Sequence, residues 1–498
     1  MHATSIRLEN FKRFSNVEID LSSNITLFLG PNSSGKSSLI KALLGLKQTS
    51  SSSNENETFA AQGEYVDLGV YRDFVLEHDI NKKIKIGINI NRNKNNFENT
   101  SQIYIEFCFG YDFATEQSRL FEILIYDQND RISPIISLIK KQTRDTFLLK
   151  LSDLYADKIL KQFSPSIFDE TEDKANLKKL TTIWQKGCSV SVSDRYQFTV
   201  DKSIKKVVDQ NPKQKSGVIG YLTNYPVQIL TDIVRSTLRT FDTDYFYLGP
   251  LRRSPSRSYS RTAHLLSVGS SGEHTPSVLA NLNSRASKER SKERPQRIRL
   301  EQLNGWIESI FPGRSVDSKT FDELVKLEIV RGVGAREVIS DVGFGFSQVL
   351  PILVQTAVMP ANTTLLIEQP ELHLHPSAQS KLAEVIADAS NSGRRFIIET
   401  HSEHFVRGLQ LAVSNKTAKK SNKYIKLKPE DLKFIYVPRF PDLPKEMTLD
   451  VWGEFTEPWP SGFFDEGYLA ALKLIQNKID VNEKLDPSLK IVKETLLK

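Results

Sequence analysis

Three short apolar runs, Ile25–Leu29, Thr364–Ile367 and Phe396–Ile398, carry no polar alternation, so each predicts a strand buried on both faces. Elsewhere the pattern has a period of two. Residues 5–11 and 16–21 alternate on either side of the turn Lys12–Arg13–Phe14, and Lys83–Asn89, Gln102–Gly110 and Phe121–Tyr126 alternate likewise. These segments predict half-buried strands of a small antiparallel sheet. Helical spacing is clear at Leu39, Ile40, Leu43 and Leu44, and in the apolar stretch after Ser347. Tyr71–Val75 reads as a helix entry, and Ile139–Leu180 reads as helical and charged. No heptad run is sustained, which argues against a long coiled-coil arm. Thr49–Glu57 is a polar, low-complexity loop, and Asp431–Arg439 resumes a strand. The pattern predicts an α/β head built from residues 1–79 and 241–498, with an α+β region inserted at 80–240.

The loop between the first apolar run and its helix is Gly30-Pro31-Asn32-Ser33-Ser34-Gly35-Lys36-Ser37-Ser38. It fits G-x-x-x-x-G-K-[ST], the P-loop pattern. Gly30 and Gly35 allow the backbone to bend until successive N–H groups point inward at phosphate oxygens. The helix that follows starts with unpaired N–H groups, which also favour an anion. Lys36 supplies a point charge to the β- and γ-phosphates, and Ser37 a hydroxyl to Mg²⁺. ATP with Mg²⁺ is the ligand pair this loop is built for. Lys12 and Arg13 lie in a turn that is either beside the nucleotide or simply solvated. Gln62 follows one helix and one loop after Lys36, in an order that resembles ABC-type heads; that resemblance implies contact with Mg²⁺ and the attacking water, although glutamine is also a common loop residue.

Three motifs follow in the second half. Ser340–Val354, SDVGFGFSQVLPILV, leads two glycines into a helix that Ser347 is expected to cap, making a second anion site for a nucleotide held by another subunit. Thr364–Pro376, TLLIEQPELHLHP, ends a buried strand in Glu368, placed to orient Mg²⁺. The motif resembles that of ABC-type heads, in which the next position is usually a water-polarising glutamate; here it is Gln369. An amide can position water but cannot take its proton, so hydrolysis is slow or Glu371 substitutes. His373 and His375 are spaced poorly for zinc and suit a subunit-contact loop. Arg395–Phe405, RFIIETHSEHF, places His401 after a buried strand, where it resembles the switch histidine of ABC-type heads; that resemblance implies contact with the γ-phosphate.

Charge changes this picture only locally. The formal net charge of +7 is modest for 498 residues. It permits nucleic-acid contact without requiring it. Arg252, Arg253 and Arg257 cluster after the strand break at Gly249-Pro250, where they either meet a phosphate or hold acidic neighbours. Arg285–Arg299 holds seven basic residues against two acidic ones, and Lys416–Lys428 holds six lysines and no acid. The second is the best candidate for a phosphate-backbone contact. Cys108 and Cys188 form neither a metal pattern nor a disulfide framework, which suits a reducing cytoplasm. No apolar run approaches the roughly 20 residues that span a bilayer, so no membrane role is expected.

The order of these motifs carries a resemblance. A hairpin followed by a P-loop resembles the opening of ATPase heads in the recombination, SMC and overcoming-lysogenization-defect groups. The full set, from the P-loop through YLGPLRR, GFSQ, LLIEQPELHLHP and ETHSEH to WPSGFFDE, resembles the PtuA-like AAA/ABC-type ATPases of the Septu anti-phage system and their retron-associated relatives. That resemblance implies an ABC-type P-loop head, with a mixed sheet flanked by helices, in a bacterial cytoplasm. It implies a homodimer or higher homo-oligomer, with ATP between the P-loop of one subunit and Ser347 of the other. It also implies an HNH-type nuclease partner whose activity the ATPase gates, with DNA or retron nucleic acid as a further partner. Overcoming-lysogenization-defect nucleases carry a Toprim domain, and no D-x-D pair on a strand follows His401 here, so this chain is not expected to cut DNA itself. Two other readings stay open: a DNA-repair clamp acting directly on DNA, and a scaffold that binds ATP without turnover.

Overall fold

The computed structural model describes residues 2–52, 58–91, 102–127, 131–141, 146–157, 181–193, 196–200, 216–262, 265–289, 295–332, 334–414, 427–460 and 473–474. The chain opens with a hairpin, β1 (His2–Phe11) and β2 (Phe14–Asp20), followed by β3 (Ile25–Leu29) and helix α1 (Lys36–Ser51). Seven strands come next: β4 (Ile84–Asn91), β5 (Gln102–Asp112), β6 (Gln117–Asp127), β7 (Ile136–Lys140), β8 (Thr146–Leu151), β9 (Cys188–Ser193) and β10 (Gln197–Val200). They do not form a separate sheet. Strand β4 pairs antiparallel with β1, with Ile6 opposite Ile88, so the hairpin and all seven strands make one nine-stranded antiparallel sheet in the order β10-β9-β8-β7-β6-β5-β4-β1-β2.

The second half supplies α2 (Ser216–Asp244), β11 (Tyr245–Leu248), β12 (Tyr259–Ser260), α3 (Thr275–Lys288), α4 (Pro295–Ile310), β13 (Arg314–Phe321), β14 (Leu324–Arg331), β15 (Ala335–Val338), α5 (Phe344–Val358), β16 (Thr364–Glu368), α6 (Pro376–Ser390), β17 (Arg395–Glu399), α7 (Glu403–Ser414), β18 (Leu432–Tyr436) and β19 (Lys445–Met447). A six-stranded sheet runs β11-β16-β17-β3-β18-β19, parallel throughout except for β19 at its edge. The strand that precedes the P-loop therefore lies in the middle of a sheet otherwise built by residues more than two hundred positions away. Strands β12 to β15 form a small third sheet.

Alternation within the parallel strands divides the core. Phe28, Leu366, Ile397 and Ile435 face one way and join α1, α2 and the apolar face of the antiparallel sheet. Leu27, Leu29, Leu365, Ile367, Phe396 and Ile398 face the other way, onto α3 to α7. Helix α1 packs along α2, where buried Lys47 donates to the Asp242 carbonyl at 2.7 Å. Its charge thus caps the C-terminal end of α2.

Two sequence expectations change. Ile139–Leu151 is not helical: it falls in β7 and β8, whose buried positions alternate (Ile136 and Leu138; Phe147, Leu149 and Leu151). Pairing with β6 overrides the local charge density there. Residues 158–180 lie outside the described set. Tyr71–Phe74 makes one helical turn only, because Val75 turns extended and bridges Phe11. Of the basic segments, 285–289 and 295–299 belong to the end of α3 and the start of α4, while residues 290–294 and 415–426 lie outside the described set, as does most of the WPSGFFDE tail. Among the described residues no helix is long and apolar enough to cross a membrane.

Candidate nucleotide site

Candidate chemistry collects at the C-terminal ends of three neighbouring parallel strands, β16, β17 and β3. In parallel α/β sheets this edge gathers loops and helix N-termini and is the usual ligand crevice. The loop after β3 has the backbone the motif demands. Gly30 has φ 138°, Ser33 φ 61° and Gly35 φ 92°. A Cβ on Gly30 would meet the Val437 carbonyl oxygen at 2.2 Å, so only glycine fits between β3 and the end of β18. Asn32 and Ser33 are exposed at the loop tip; Ser34 is buried. Ser38 closes the first turn of α1 by donating its N–H to the Gly35 carbonyl at 3.0 Å. Lys36 is buried, and its ammonium donates to the carbonyls of Gly30 at 3.1 Å and Pro31 at 2.7 Å. Burial holds its pKa below the ordinary lysine value, opposed by Glu399 and Glu371.

Arg13 and Lys12 serve the loop from outside. The Arg13 guanidinium donates to the carbonyls of Ser34, Pro438 and Asp442, each at 2.5 Å. It ties the P-loop to the chain after β18. Lys12 donates its ammonium to the Asp73 carbonyl at 3.0 Å and its backbone N–H to the Phe74 carbonyl. Both side chains thus brace backbone around the phosphate loop. Gln62 is exposed on a loop where it bridges Asp67. Sequence reasoning missed what pins that loop: Gln48 of α1 donates to the carbonyls of Ala60 and Val66 and accepts from the N–H groups of Tyr65 and Val66.

Two carboxylates end adjacent strands in register. Glu368 of β16 pairs with Glu399 of β17. Glu368 accepts from the Tyr247 hydroxyl at 2.7 Å, and Glu399 lies beside the Ser37 hydroxyl. Burial pushes both above the usual carboxylate range; Glu399 raises Glu368 further, while Ser37, Lys36 and Lys41 oppose the rise at Glu399. Glu399 Oε2 is buried without a hydrogen-bond partner. Glu399 was missed from sequence because it reads as the last residue of a strand; the signal was its place immediately before Thr400-His401. Ser37, Glu368 and Glu399 suit Mg²⁺, which takes few protein oxygens and completes its shell with phosphate and water. Among the described residues there is no three-ligand His, Cys, Asp and Glu cluster that would hold a metal unaided.

The turn after Glu368 is held hard. Gln369 has φ 46°, and its N–H donates to the Glu399 carbonyl at 2.8 Å. Arg252, buried, donates to the carbonyls of Glu368 at 2.8 Å and Gln369 at 3.0 Å. Of the three clustered arginines it is therefore the inward one, holding acidic neighbours and backbone, while Arg253 and Arg257 are exposed. Glu371 accepts from the His401 N–H at 2.8 Å through Oε1, and its Oε2 is buried without a partner. Burial pushes Glu371 up. Burial, then the nearby Lys36, brings the His401 imidazole down to about 4, so it is neutral at pH 7. The fold thus brings Lys36, Ser37, Glu368, Gln369, Glu371 and His401 to one edge.

Ser347 does not cap its helix. Helix α5 starts at Phe344 with Gly343 as N-cap, which places Ser347 one turn in, where its hydroxyl donates back to the Phe344 carbonyl at 2.7 Å. The glycines before it start the helix early. The exposed N-terminal end of α5 is instead formed by Gly343 and Phe344, whose ring meets the His373 ring edge-on at 4.8 Å. His375 caps α6, accepting from the Ser377 N–H.

A phosphate cradle opposite carboxylate-tipped neighbouring strands, in a mixed sheet flanked by helices, defines an ABC-type P-loop ATPase head. The chain belongs to the AAA ATPase domain family, whose model matches residues 1–406 and so includes the P-loop, Arg252, Ser347, Glu368, Gln369, Glu371, Glu399 and His401. It is an ATPase. Two curated relatives match locally. The Old nuclease of Escherichia phage P2 is 35% identical over 91 residues, 18% of this chain and 16% of that protein. The DNA replication and repair protein RecF of Listeria welshimeri is 39% identical over 57 residues, 11% of this chain and 15% of that protein. The chain thus spans about a sixth of the length of these relatives. Among solved structures, the SMC head domain from Thermotoga maritima is 10% identical, with 90% of this chain and all of that one covered at a TM-score of 0.35. An SMC head bound to the C-terminal winged-helix domain of ScpA is 13% identical, with 90% and 98% covered at a TM-score of 0.39.

Proposed function

We propose that this chain is the ATPase subunit of a bacterial anti-phage defence complex, in which two heads clamp on ATP and nucleotide state gates an associated HNH-type nuclease. The observation that carries the ATPase part is the convergence at one sheet edge. Lys36 and the P-loop N–H groups bind the phosphates, and Ser37, Glu368 and Glu399 hold Mg²⁺, which supplies charge neutralisation of the phosphate oxygens when bound. Gln369 positions the attacking water, and Glu371 is the base. A carboxylate raised by burial keeps more affinity for a proton at neutral pH than an exposed one, which suits that task. His401, neutral, meets the γ-phosphate as a hydrogen-bond donor rather than as a second charge. The motif order and the local similarity to Old nuclease and RecF support the wider reading of a nucleic-acid-linked head.

Lys36→Ala is expected to lose ATP binding by more than about 100-fold, read by titration with a fluorescent ATP analogue. Glu371→Gln is expected to keep binding and lose about 100-fold or more in kcat. Unchanged affinity in the lysine variant would remove the nucleotide site itself. For the complex, the decisive measurement is the native mass of material purified from cells expressing the neighbouring genes, with and without ATP. A small nuclease retained on an ATPase oligomer supports the defence reading. A lone ATPase that gains mass only with DNA supports a repair clamp instead, and binding without turnover supports a scaffold.

A further inference from the structure

We propose that Arg252 is a positioning residue for hydrolysis: it fixes the turn that presents Gln369 and Glu371 and ties that turn to helix α5. This rests on the ATPase reading of the site. Three consecutive residues after β11 behave differently. Leu251 is 83% exposed and Arg253 is exposed, whereas Arg252 between them is 6% exposed. Burying a guanidinium is costly and must be offset by its hydrogen bonds: Nη1 and Nη2 of Arg252 are used, while Nε is buried without a partner. Here the planar fork spans two successive carbonyls, those of Glu368 and Gln369. Burial lowers the Arg252 pKa to about 10, so it stays charged at neutral pH, amid Glu371, Tyr247 and Glu368.

The geometry it holds is costly. A non-glycine residue at φ 46° lies in the left-handed region, which is strained and persists only where surroundings over-determine it. At Gln369 they do: its N–H is tied to the Glu399 carbonyl on one side and its own carbonyl to Arg252 on the other. The Arg252 turn is itself suspended. Gly249 and Arg253 donate their N–H groups to the carbonyls of Ser270 and Ser271, both at 2.8 Å. The segment containing those serines is clamped to α5 by Gln355, which accepts from the Val268 N–H at 2.9 Å and donates to the Leu266 carbonyl at 3.3 Å. Gly272 abuts Pro351 of the same helix so closely that a Cβ would lie 2.7 Å from the proline ring. Hydrogen bonds therefore run without a break from the water-positioning turn to the helix whose exposed end bears the second glycine motif. Arg252 is the one side chain in that chain of contacts whose loss frees the turn without touching the phosphate loop.

The test compares Arg252→Lys and Arg252→Gln with Arg253→Gln, the exposed neighbour, in the full-length protein. Lysine keeps the charge but cannot span two carbonyls. Arg252→Lys is expected to keep ATP-analogue affinity within about threefold of wild type and lose about 10- to 100-fold in kcat. Arg252→Gln loses more, and Arg253→Gln matches wild type. If the glutamine variant fails to fold, the lysine variant alone carries the comparison, with its melting temperature as the control. Wild-type kcat in Arg252→Lys overturns the inference, as does a loss of affinity that equals the loss of kcat. Wild-type protein that binds ATP and never hydrolyses it removes the ATPase reading together with this inference, whereas turnover in wild type with normal turnover in Arg252→Lys removes only the inference.

Discussion

The two large sheets are built on opposite rules. In the six-stranded parallel sheet, β3 and β16 are buried at every position. Both faces are covered by helices or by the other sheet, so polar groups emerge only where the strands end. That is why Glu368, Glu399 and the P-loop share one edge. In the nine-stranded antiparallel sheet one face joins the core, and the other carries polar side chains along the strands, even at buried Glu106 of β5: Arg7 and Lys85 flank Glu9 and Glu106 in mid-sheet. The first design concentrates chemistry, and the second disperses charge and supplies packing for α1 from behind.

The sharpest break of that contrast is Gly30→Ala. With φ 138° and a carbonyl 2.2 Å from the added Cβ, the β3–β18 seam must open. A loss of about 4 kcal/mol or more, or failure to fold, is expected in denaturant titrations. Next, Ile367→Ala in β16, fully buried, should cost about 2–5 kcal/mol, while Ile139→Ala in β7, 41% exposed, should cost under about 1 kcal/mol. Equal costs would refute the difference in burial between the sheets.

A pH titration of stability probes the site edge. His401 and His2 are both brought from 6.5 to about 4, His2 by burial and then by Arg395. Between those values the unfolded chain binds protons that the folded chain does not. Their contribution is therefore fully present above pH 6.5 and is lost as pH falls toward 4. A combined drop of about 1–3 kcal/mol, discounted for partial exposure, is expected, and His401→Asn should remove about half of it. The smallest effect should come from Glu399→Gln. Its folded pKa is raised, so any stability from the protonated form is present below the unfolded value and lost as pH rises. At neutral pH the charge is a cost. The glutamine variant should be more stable by on the order of 1 kcal/mol in the absence of nucleotide and Mg²⁺. It should also need more Mg²⁺ to bind the ATP analogue, read by titration at fixed analogue concentration. A variant that is less stable would mean Glu399 is held by partners other than Ser37 and Lys36.

Much of the site was legible because it is local. Gly30 to Ser37 needs only its own backbone, and Glu368 and His401 sit one and three residues past an apolar run. The errors arose where distant chain decides. Ser347 followed glycines that looked like a loop, yet the helix begins at Phe344 and turns the hydroxyl back on itself. Lys12 and Arg13 were visible as charges near the loop, but their partners, Asp73, Pro438 and Asp442, lie far along the chain. Glu399 looked like a strand end until its register with Glu368 showed two carboxylates side by side. In Ile139–Leu151 charge density masked a period of two that only pairing of β7 with β6 and of β8 with β7 and β9 brings out.

The sequence by itself determined the phosphate loop, the buried strands and the order of the motifs, because each depends on residues within a turn or two of one another. Only the tertiary structure decided which arginine of Leu251-Arg252-Arg253 is buried, that β4 to β10 continue the sheet begun by β1 and β2, and that β16 and β17 stand between β11 and β3. Those outcomes depend on which backbone carbonyls and apolar faces meet across hundreds of residues, and burial then sets the charge state of the groups left at the edge.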